Sequence, residues 1–115
     1  MDTKEMTELI AKTLSDKKAE DITIINVEEM TILTDAYIIC NAKSSTAVKA
    51  LAEYVEEALS KEGVEPLHRD GIRDGQWGVL DYGGVIVHIF QNDVRQQYGL
   101  EKIWSNKENT VRYQG

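Results

Sequence analysis

The chain has 115 residues with 13 basic and 20 acidic side chains, which gives a formal net charge of −7. A chain of this length forms one domain and buries roughly two thirds of its unfolded surface. The acidic balance repels phosphate backbones at long range, so it argues against direct nucleic-acid binding and favours a basic protein partner. The same charge is also typical of small domains that simply stay in solution, and composition alone leaves both interpretations open.

The only cysteine, Cys40, lies inside an apolar run, which excludes a disulfide framework and a cysteine metal site. We expect it to be a small buried hydrophobic residue. The N-terminal segment is acidic and amphipathic rather than a signal peptide, and no segment approaches the length of a membrane span. We therefore expect a single cytoplasmic domain over residues 1–115.

The N-terminal half predicts a helix, two strands and a second helix. Asp2 and Glu5 have the spacing of a capping box, and an apolar stripe follows at helical spacing. Residues 21–27 alternate as a strand does, and residues 34–42 are apolar on both faces at their centre, which is typical of a central strand. The apolar stripe of the first helix is Met6, Leu9, Ile10, Thr13 and Leu14.

Ser44 or Ser45 is expected to cap the second helix, and Gly63 to end it. Pro66 marks a turn before a short extended stretch near Leu67. The predicted buried side of the second helix consists of Val48, Leu51, Ala52, Val55 and Leu59.

The stretch QWGVLDYGGVIVHIF, residues 76–90, predicts a β-hairpin that turns at two glycines. With a loop of either two residues (82–83) or four (81–84), Trp77 is expected to lie opposite His88. Alternation then separates two faces. One is a plain core face formed by Leu80, Val85, Val87 and Ile89, and the other carries Trp77, Val79, Ile86, His88 and Phe90.

A polar segment with short helices follows the hairpin. The predicted order α-β-β-α-β-β-β-α indicates an α/β fold, a single domain with a mixed β-sheet and packed helices.

Several catalytic interpretations fail on the sequence. His68-Arg69-Asp70 copies a kinase tripeptide, but the chain is too short for a kinase, so we expect a charged turn shaped by Gly71 and Gly75. The glycine spacings match neither dinucleotide-binding nor phosphate-binding loops. Two histidines without a carboxylate cluster predict no metal site, and we expect no cofactor.

Four segments together resemble the ribosomal silencing factor family, also called the Iojap family. They occur in order over nearly the whole chain. The most specific positions are Trp77, residues 80–83, residues 87–90, Arg95, Tyr98, residues 100–101 and Trp104. The four segments are TDAYIIC (34–40), VKALAEYVEEAL (48–59), DGIRDGQWGVLDYGGVIVHIF (70–90) and YGLEKIW (98–104).

The resemblance implies a function that is not catalytic. Members of this family bind a basic protein, the fourteenth of the large ribosomal subunit, on the face that meets the small subunit. They block subunit joining and so repress translation when nutrients are scarce or in stationary phase. The resemblance also implies that homodimers can form.

The family fold is similar to nucleotidyltransferases, which raises an enzymatic alternative. That chemistry needs a Gly-Ser turn for phosphates and closely spaced acidic residues for magnesium. The chain contains no Gly-Ser pair, no Asp-x-Asp and no Asp-x-Glu, so we expect the fold without the activity. An adaptor for another basic partner is the third alternative.

The resemblance and the hairpin together predict a partner-binding surface. Trp77 is a typical anchor, Tyr82 at the hairpin tip is expected to be exposed, and Asp81 could face basic residues of the partner. Structural alternatives stay open: the C-terminal segment could cover the aromatic residues, Asp81 could cap the turn, and Arg95 could pair with Glu101. The predicted partner-binding residues are Trp77, Asp81, Tyr82, His88, Phe90, Arg95, Tyr98, Leu100 and Trp104.

Overall fold

The N-terminal helix begins at the predicted capping box. In the computed structural model, which describes residues 1–114, helix α1 spans Thr3–Asp16. The Asp2 carboxylate accepts the Glu5 N–H at 2.8 Å, and the Glu5 carboxylate accepts the Asp2 N–H at 3.3 Å. Both bonds satisfy backbone donors that the first helical turn leaves unpaired.

The described residues form four helices and six strands. The predicted order is confirmed up to the C-terminal segment, where Gly99 (φ 58°) separates two short helices. A last strand, β6, was not predicted, because three residues in a polar context carry no strand signal. In chain order the remaining elements are β1 (Glu20–Asn26), β2 (Ala36–Ala42), α2 (Ser45–Ser60), β3 (His68–Asp70), β4 (Trp77–Asp81), β5 (Val85–Gln91), α3 (Arg95–Tyr98), α4 (Leu100–Trp104) and β6 (Thr110–Arg112).

All six strands belong to one sheet, in the order β3-β4-β5-β2-β1-β6. Strands β2 and β5 pair in parallel, whereas the other neighbours pair antiparallel. The predicted α/β fold with a mixed sheet is therefore confirmed, and β2 occupies the predicted central position.

The sheet has a different core on each face. Helices α1 and α2 pack on what we call the helix face, where Leu80, Val85, Val87 and Ile89 are fully buried. Cys40 lies in this core as predicted, and burial raises the pKa of its thiol to about 12. The opposite face, here named the aromatic face, carries a smaller core under α3 and α4 that includes Tyr37, Ile39 and Phe90.

The hairpin has the predicted faces but a different register. Trp77 lies opposite Phe90, and His88 lies opposite Val79, so the predicted Trp77–His88 pair is wrong by two residues. The two-residue loop is Gly83-Gly84 rather than residues 82–83, and φ of 85° at Gly83 explains why glycine is required there. A shift of two residues preserves alternation, which is why the face assignment survives.

The tripeptide His68-Arg69-Asp70 is a strand at the edge of the sheet, so the predicted charged turn is wrong. The turn follows it, at Gly71 (φ 69°). A Cβ at Gly71 would lie 2.0 Å from the carbonyl oxygen of Trp77, so only glycine allows this close approach.

Candidate partner-binding site

The C-terminal segment covers only part of the aromatic face. Tyr98 of α3 packs on Trp77 with ring centroids 4.3 Å apart, and Trp77 stacks on Phe90 at 5.1 Å. Phe90 is fully buried by these contacts, whereas Trp77 stays partly exposed and Tyr98 is 49% exposed. The three rings form one continuous aromatic cluster, in which Phe90 is the buried member and Trp77 and Tyr98 reach the surface.

His88 lies within this cluster, and its surroundings favour the neutral ring with the proton on one particular nitrogen. Its Nδ1 accepts the indole N–H of Trp77 at 3.0 Å, so the proton of the neutral ring is on Nε2. Nε2 is buried and has no hydrogen-bond partner within residues 1–114. Burial lowers the pKa of His88 to about 4, so the ring is neutral at physiological pH.

Arg95 attaches the C-terminal segment to the sheet. Its Nε donates to the Glu101 carboxylate at 2.7 Å, which joins α3 to α4. Its two terminal nitrogens donate to the Asp21 carbonyl (2.7 Å), the Asn41 side chain (3.1 Å) and the Thr23 hydroxyl (2.9 Å). The predicted alternative, in which Arg95 pairs with Glu101, is what the structure shows.

Between the C-terminal segment and β3, the aromatic face is uncovered and forms an open cavity of about 370 Å³. It is wide enough for one or two side chains and lies next to the aromatic cluster. Its lining consists of Tyr37, His68, Arg69, Asp70, Val79, Asp81, Ile86, His88 and Leu100.

The free charges at this cavity are acidic. The Arg69 guanidinium reaches Glu56 of α2, with N–O distances of 3.0 and 3.1 Å, so its charge is paired on the helix face. Asp70 and Asp81 each use one oxygen to accept a nearby turn N–H at 2.8 Å, those of Gly71 and Gly83. Asp81 therefore caps the turn, and both carboxylates lie at the cavity rim.

The structure divides the predicted site residues into two groups. Tyr82, expected to be exposed at the hairpin tip, is only 7% exposed and belongs to the helix-face core, so that expectation is wrong. His88, Phe90 and Arg95 are also buried, and direct contact with a partner is closed to them in this conformation. Those that reach the surface are Trp77, Asp81, Tyr98, Leu100 and Trp104.

Sequence reasoning missed several residues of the same surface. Tyr37 and Asp70 were not selected, and Val79 and Ile86 were placed on the correct face but given no role. The available signal was strand alternation in β2 and β4 combined with pairing, which brings Tyr37 beside Ile86 and Asp70 opposite Val79. What could not be anticipated is that the C-terminal segment stops short of these residues.

Within residues 1–114, no three His, Cys, Asp or Glu side chains are grouped closely enough to hold a metal ion. Over the same residues, none of the helices has the length and hydrophobicity needed to cross a membrane.

Along nearly its whole length the chain is similar to proteins of one family. The family model described as "Ribosomal silencing factor during starvation" matches residues 1–114. The protein named ribosomal silencing factor RsfS from Halalkalibacterium halodurans is 31% identical over 115 residues, which cover 100% of this chain and 97% of that protein. The chloroplastic protein Iojap of Arabidopsis thaliana is 30% identical over 97 residues, or 84% of this chain and 40% of that protein. A crystal structure of a protein from Chromobacterium violaceum has a TM-score of 0.89 at 30% identity, covering 100% of this chain and 95% of that one.

Proposed function

The chain belongs to the ribosomal silencing factor family, and on that premise we propose that it docks on the fourteenth protein of the large ribosomal subunit and blocks joining of the small subunit. Membership makes it a non-enzymatic regulator of translation that associates with the ribosome. The proposed step is steric: the bound chain occupies the surface where the subunits meet. It acts when nutrients are limiting or in stationary phase.

The observation that supports this docking mode is a partly exposed aromatic cluster beside an acidic rim. Tyr98 is 49% exposed above Trp77, and aromatic residues at a surface are typical binding anchors because they bury a large area with few rotatable bonds. The chain has a net charge of −7, which suits a basic protein and disfavours RNA.

The roles of the predicted residues follow from their burial. The exposed group contacts the partner, while the buried group holds the surface in shape: Phe90 and His88 from beneath, and Arg95 by fixing the C-terminal segment. Tyr82 supports the hairpin from the helix face. The contacting residues in this proposal are Trp77, Asp81, Tyr98, Leu100 and Trp104.

The chain acts as one domain over residues 1–115, in the cytoplasm, with no cofactor. A homodimer would have to leave the aromatic face free if the same face is to bind the ribosome.

Subunit joining measured by light scattering tests the function. Purified small and large subunits are mixed at a magnesium concentration that favours joining, with and without an excess of the protein. We expect joining to be suppressed when the protein is added to the large subunit first. Joining at an unchanged extent, despite binding to the large subunit, would refute the steric proposal.

A matched pair of tyrosine variants tests the surface. Tyr98→Ala removes an exposed ring from the aromatic face, and Tyr54→Ala removes one that is 41% exposed on α2, on the helix face. We expect only Tyr98→Ala to weaken binding to the isolated ribosomal protein. Equal effects would place docking elsewhere, and binding to another basic protein alone would favour the adaptor alternative.

A further inference from the structure

We propose that the cavity beside the aromatic cluster is the receptor for one apolar side chain of the ribosomal protein, presented by a segment with basic residues next to it. This inference rests on the proposed function and deepens it, because it assigns a specific contact within the docking surface. Three residues predicted from the sequence, Asp81, His88 and Leu100, line this cavity, but the sequence did not indicate that a cavity lies between them.

The shape of the cavity suits an inserted side chain. Its apolar lining comes from four elements: Tyr37 of β2, Val79 of β4, Ile86 of β5 and Leu100 of α4. The cavity volume of about 370 Å³ is too small for a helix or a strand and large enough for a branched aliphatic or aromatic side chain. Val79 and Ile86 are partly exposed in the free chain, so insertion removes apolar area from water.

His88 is a second, independent sign that this region is completed by something else. The residue is 7% exposed, it lines the cavity, and its buried Nε2–H has no acceptor within residues 1–114. Buried polar groups in native proteins nearly always have a partner. The Nε2–H of His88 is therefore a polar group that the fold of residues 1–114 leaves unsatisfied beside the cavity.

The rim specifies the charge of the inserted segment. Asp70 and Asp81 are the carboxylates at the cavity, and the Arg69 charge is paired with Glu56 on the other face of the sheet. Two carboxylates at the rim of an apolar cavity attract a segment in which Lys or Arg adjoins an apolar residue. That charge pattern favours a basic ribosomal protein over a second copy of this acidic chain.

Filling the cavity tests the proposal. Val79→Phe places a larger ring in the cavity on a strand position that tolerates aromatics, and Ile86→Phe does the same from β5. Val111→Phe is the matched control, since Val111 is 61% exposed on β6 at the far side of the sheet. Each variant is first compared with wild type by thermal unfolding, and binding to the immobilised ribosomal protein is then measured.

We expect both cavity-filling variants to bind at least tenfold more weakly while they unfold near the wild-type temperature, and Val111→Phe to bind within twofold of wild type. Wild-type affinity for a folded cavity-filled variant would overturn the cavity inference and leave the proposed function standing. No binding by wild type itself would overturn the proposed function. A change in self-association without a change in ribosomal-protein binding would mean that a second copy occupies the cavity, contrary to the inference.

A charge variant tests the rim separately. Asp70→Asn keeps an oxygen that can accept the Gly71 N–H and removes the negative charge. Asp16→Asn on α1 is the control, because Asp16 lies on an exposed helix that packs on the other face. We expect association with the ribosomal protein to slow about threefold for Asp70→Asn and to be unchanged for Asp16→Asn. Equal rates would overturn the assignment of basic residues to the segment.

Discussion

The indole N–H of Trp77 donates to Nδ1 of His88 at 3.0 Å along a diagonal of the β4–β5 hairpin. This bond explains why a titratable ring occurs in an otherwise apolar strand. The histidine supplies the acceptor that a partly buried indole needs, and it stays neutral because burial lowers its pKa to about 4. The anchor residue of the proposed docking surface is thereby held in one orientation.

Replacement of Trp77 by phenylalanine should destabilise the protein by about 1–3 kcal/mol. The substitution keeps most of the stacking on Phe90 and Tyr98 but leaves the buried Nδ1 of His88 without a donor. Urea denaturation followed by circular dichroism measures the free energy of unfolding.

Trp104→Phe is the control for that prediction. Trp104 packs on Tyr37 with ring centroids 5.5 Å apart, and its indole N–H has no acceptor among the residues that the structure describes. Trp104→Phe should therefore lower the free energy of unfolding by less than Trp77→Phe does. A loss at Trp104 equal to that at Trp77 would contradict a specific role for the hydrogen bond.

The free energy of unfolding should fall as pH drops below about 6.5, partly because of His88. Its folded-state pKa of about 4 lies below the ordinary value of 6.5, so the unfolded chain takes up a proton that the folded chain does not. Full stability is therefore present above about pH 6.5 and declines toward pH 4. Linkage predicts a loss of about 2 kcal/mol from this group between pH 7.5 and 5.

The pH prediction is checked with two variants. His88→Gln cannot titrate, so its loss of stability between pH 7.5 and 5 should be smaller than that of wild type by about the same 2 kcal/mol. His68→Gln changes an exposed histidine on β3 and should keep the wild-type slope. Identical slopes for all three proteins would show that His88 is accessible to protons in the folded state.

Removal of the Arg95 side chain should release the C-terminal segment. In Arg95→Leu, Glu101 loses its ion pair, and Asp21, Asn41 and Thr23 lose their donors, for a cost of about 3 kcal/mol. Hydrogen exchange over residues 95–104 should rise together with the loss of stability. Arg95→Lys should recover little of this lost stability, because one ammonium group cannot reproduce the planar arrangement of donors of a guanidinium.

Arg112→Leu provides the comparison for Arg95→Leu. Arg112 pairs with Asp21 at 3.1 Å on the surface, where such pairs contribute at most about 1 kcal/mol. If the two arginine variants were equally stable, Arg95 would not hold the segment in place.

The local parts of the fold could be predicted from the sequence. The capping box at Asp2, the buried side of α2 and the position of β2 each depend on neighbouring residues, and each is confirmed. The hairpin register was missed because a shift of two residues leaves the faces unchanged, and only the pairing of Tyr82 with Val85 (N–O 2.9 Å) fixes the loop at residues 83–84.

The candidate site was harder to predict from the sequence than the local fold, because it depends on contacts between residues that are distant in the chain. Tyr82 was expected to be exposed since it adjoins a turn, but the hairpin directs its ring into the helix-face core. Two of the four hydrogen bonds of Arg95 reach Asp21 and Thr23, more than 70 residues earlier in the chain, which no local pattern reveals. The cavity arises from where α4 ends over the sheet, which is a property of tertiary packing.

Salt should separate docking on protein from docking on RNA. A chain of charge −7 gains no favourable counterion release by touching ribosomal RNA. The attraction must come from a basic protein patch, and acidic rim residues such as Asp70 speed the encounter more than they hold the complex. An increase from about 50 to about 300 mM salt shortens the screening length from about 14 to about 6 Å.

Over that range, association with the isolated ribosomal protein should slow about tenfold, while dissociation changes much less because burial of aromatic and apolar groups is insensitive to screening. Binding to protein-free ribosomal RNA should be undetectable at each salt concentration. Surface plasmon resonance with the protein and the RNA immobilised in parallel measures both quantities. Tight RNA binding, or an on-rate independent of salt with a steeply rising off-rate, would contradict docking steered by the acidic rim.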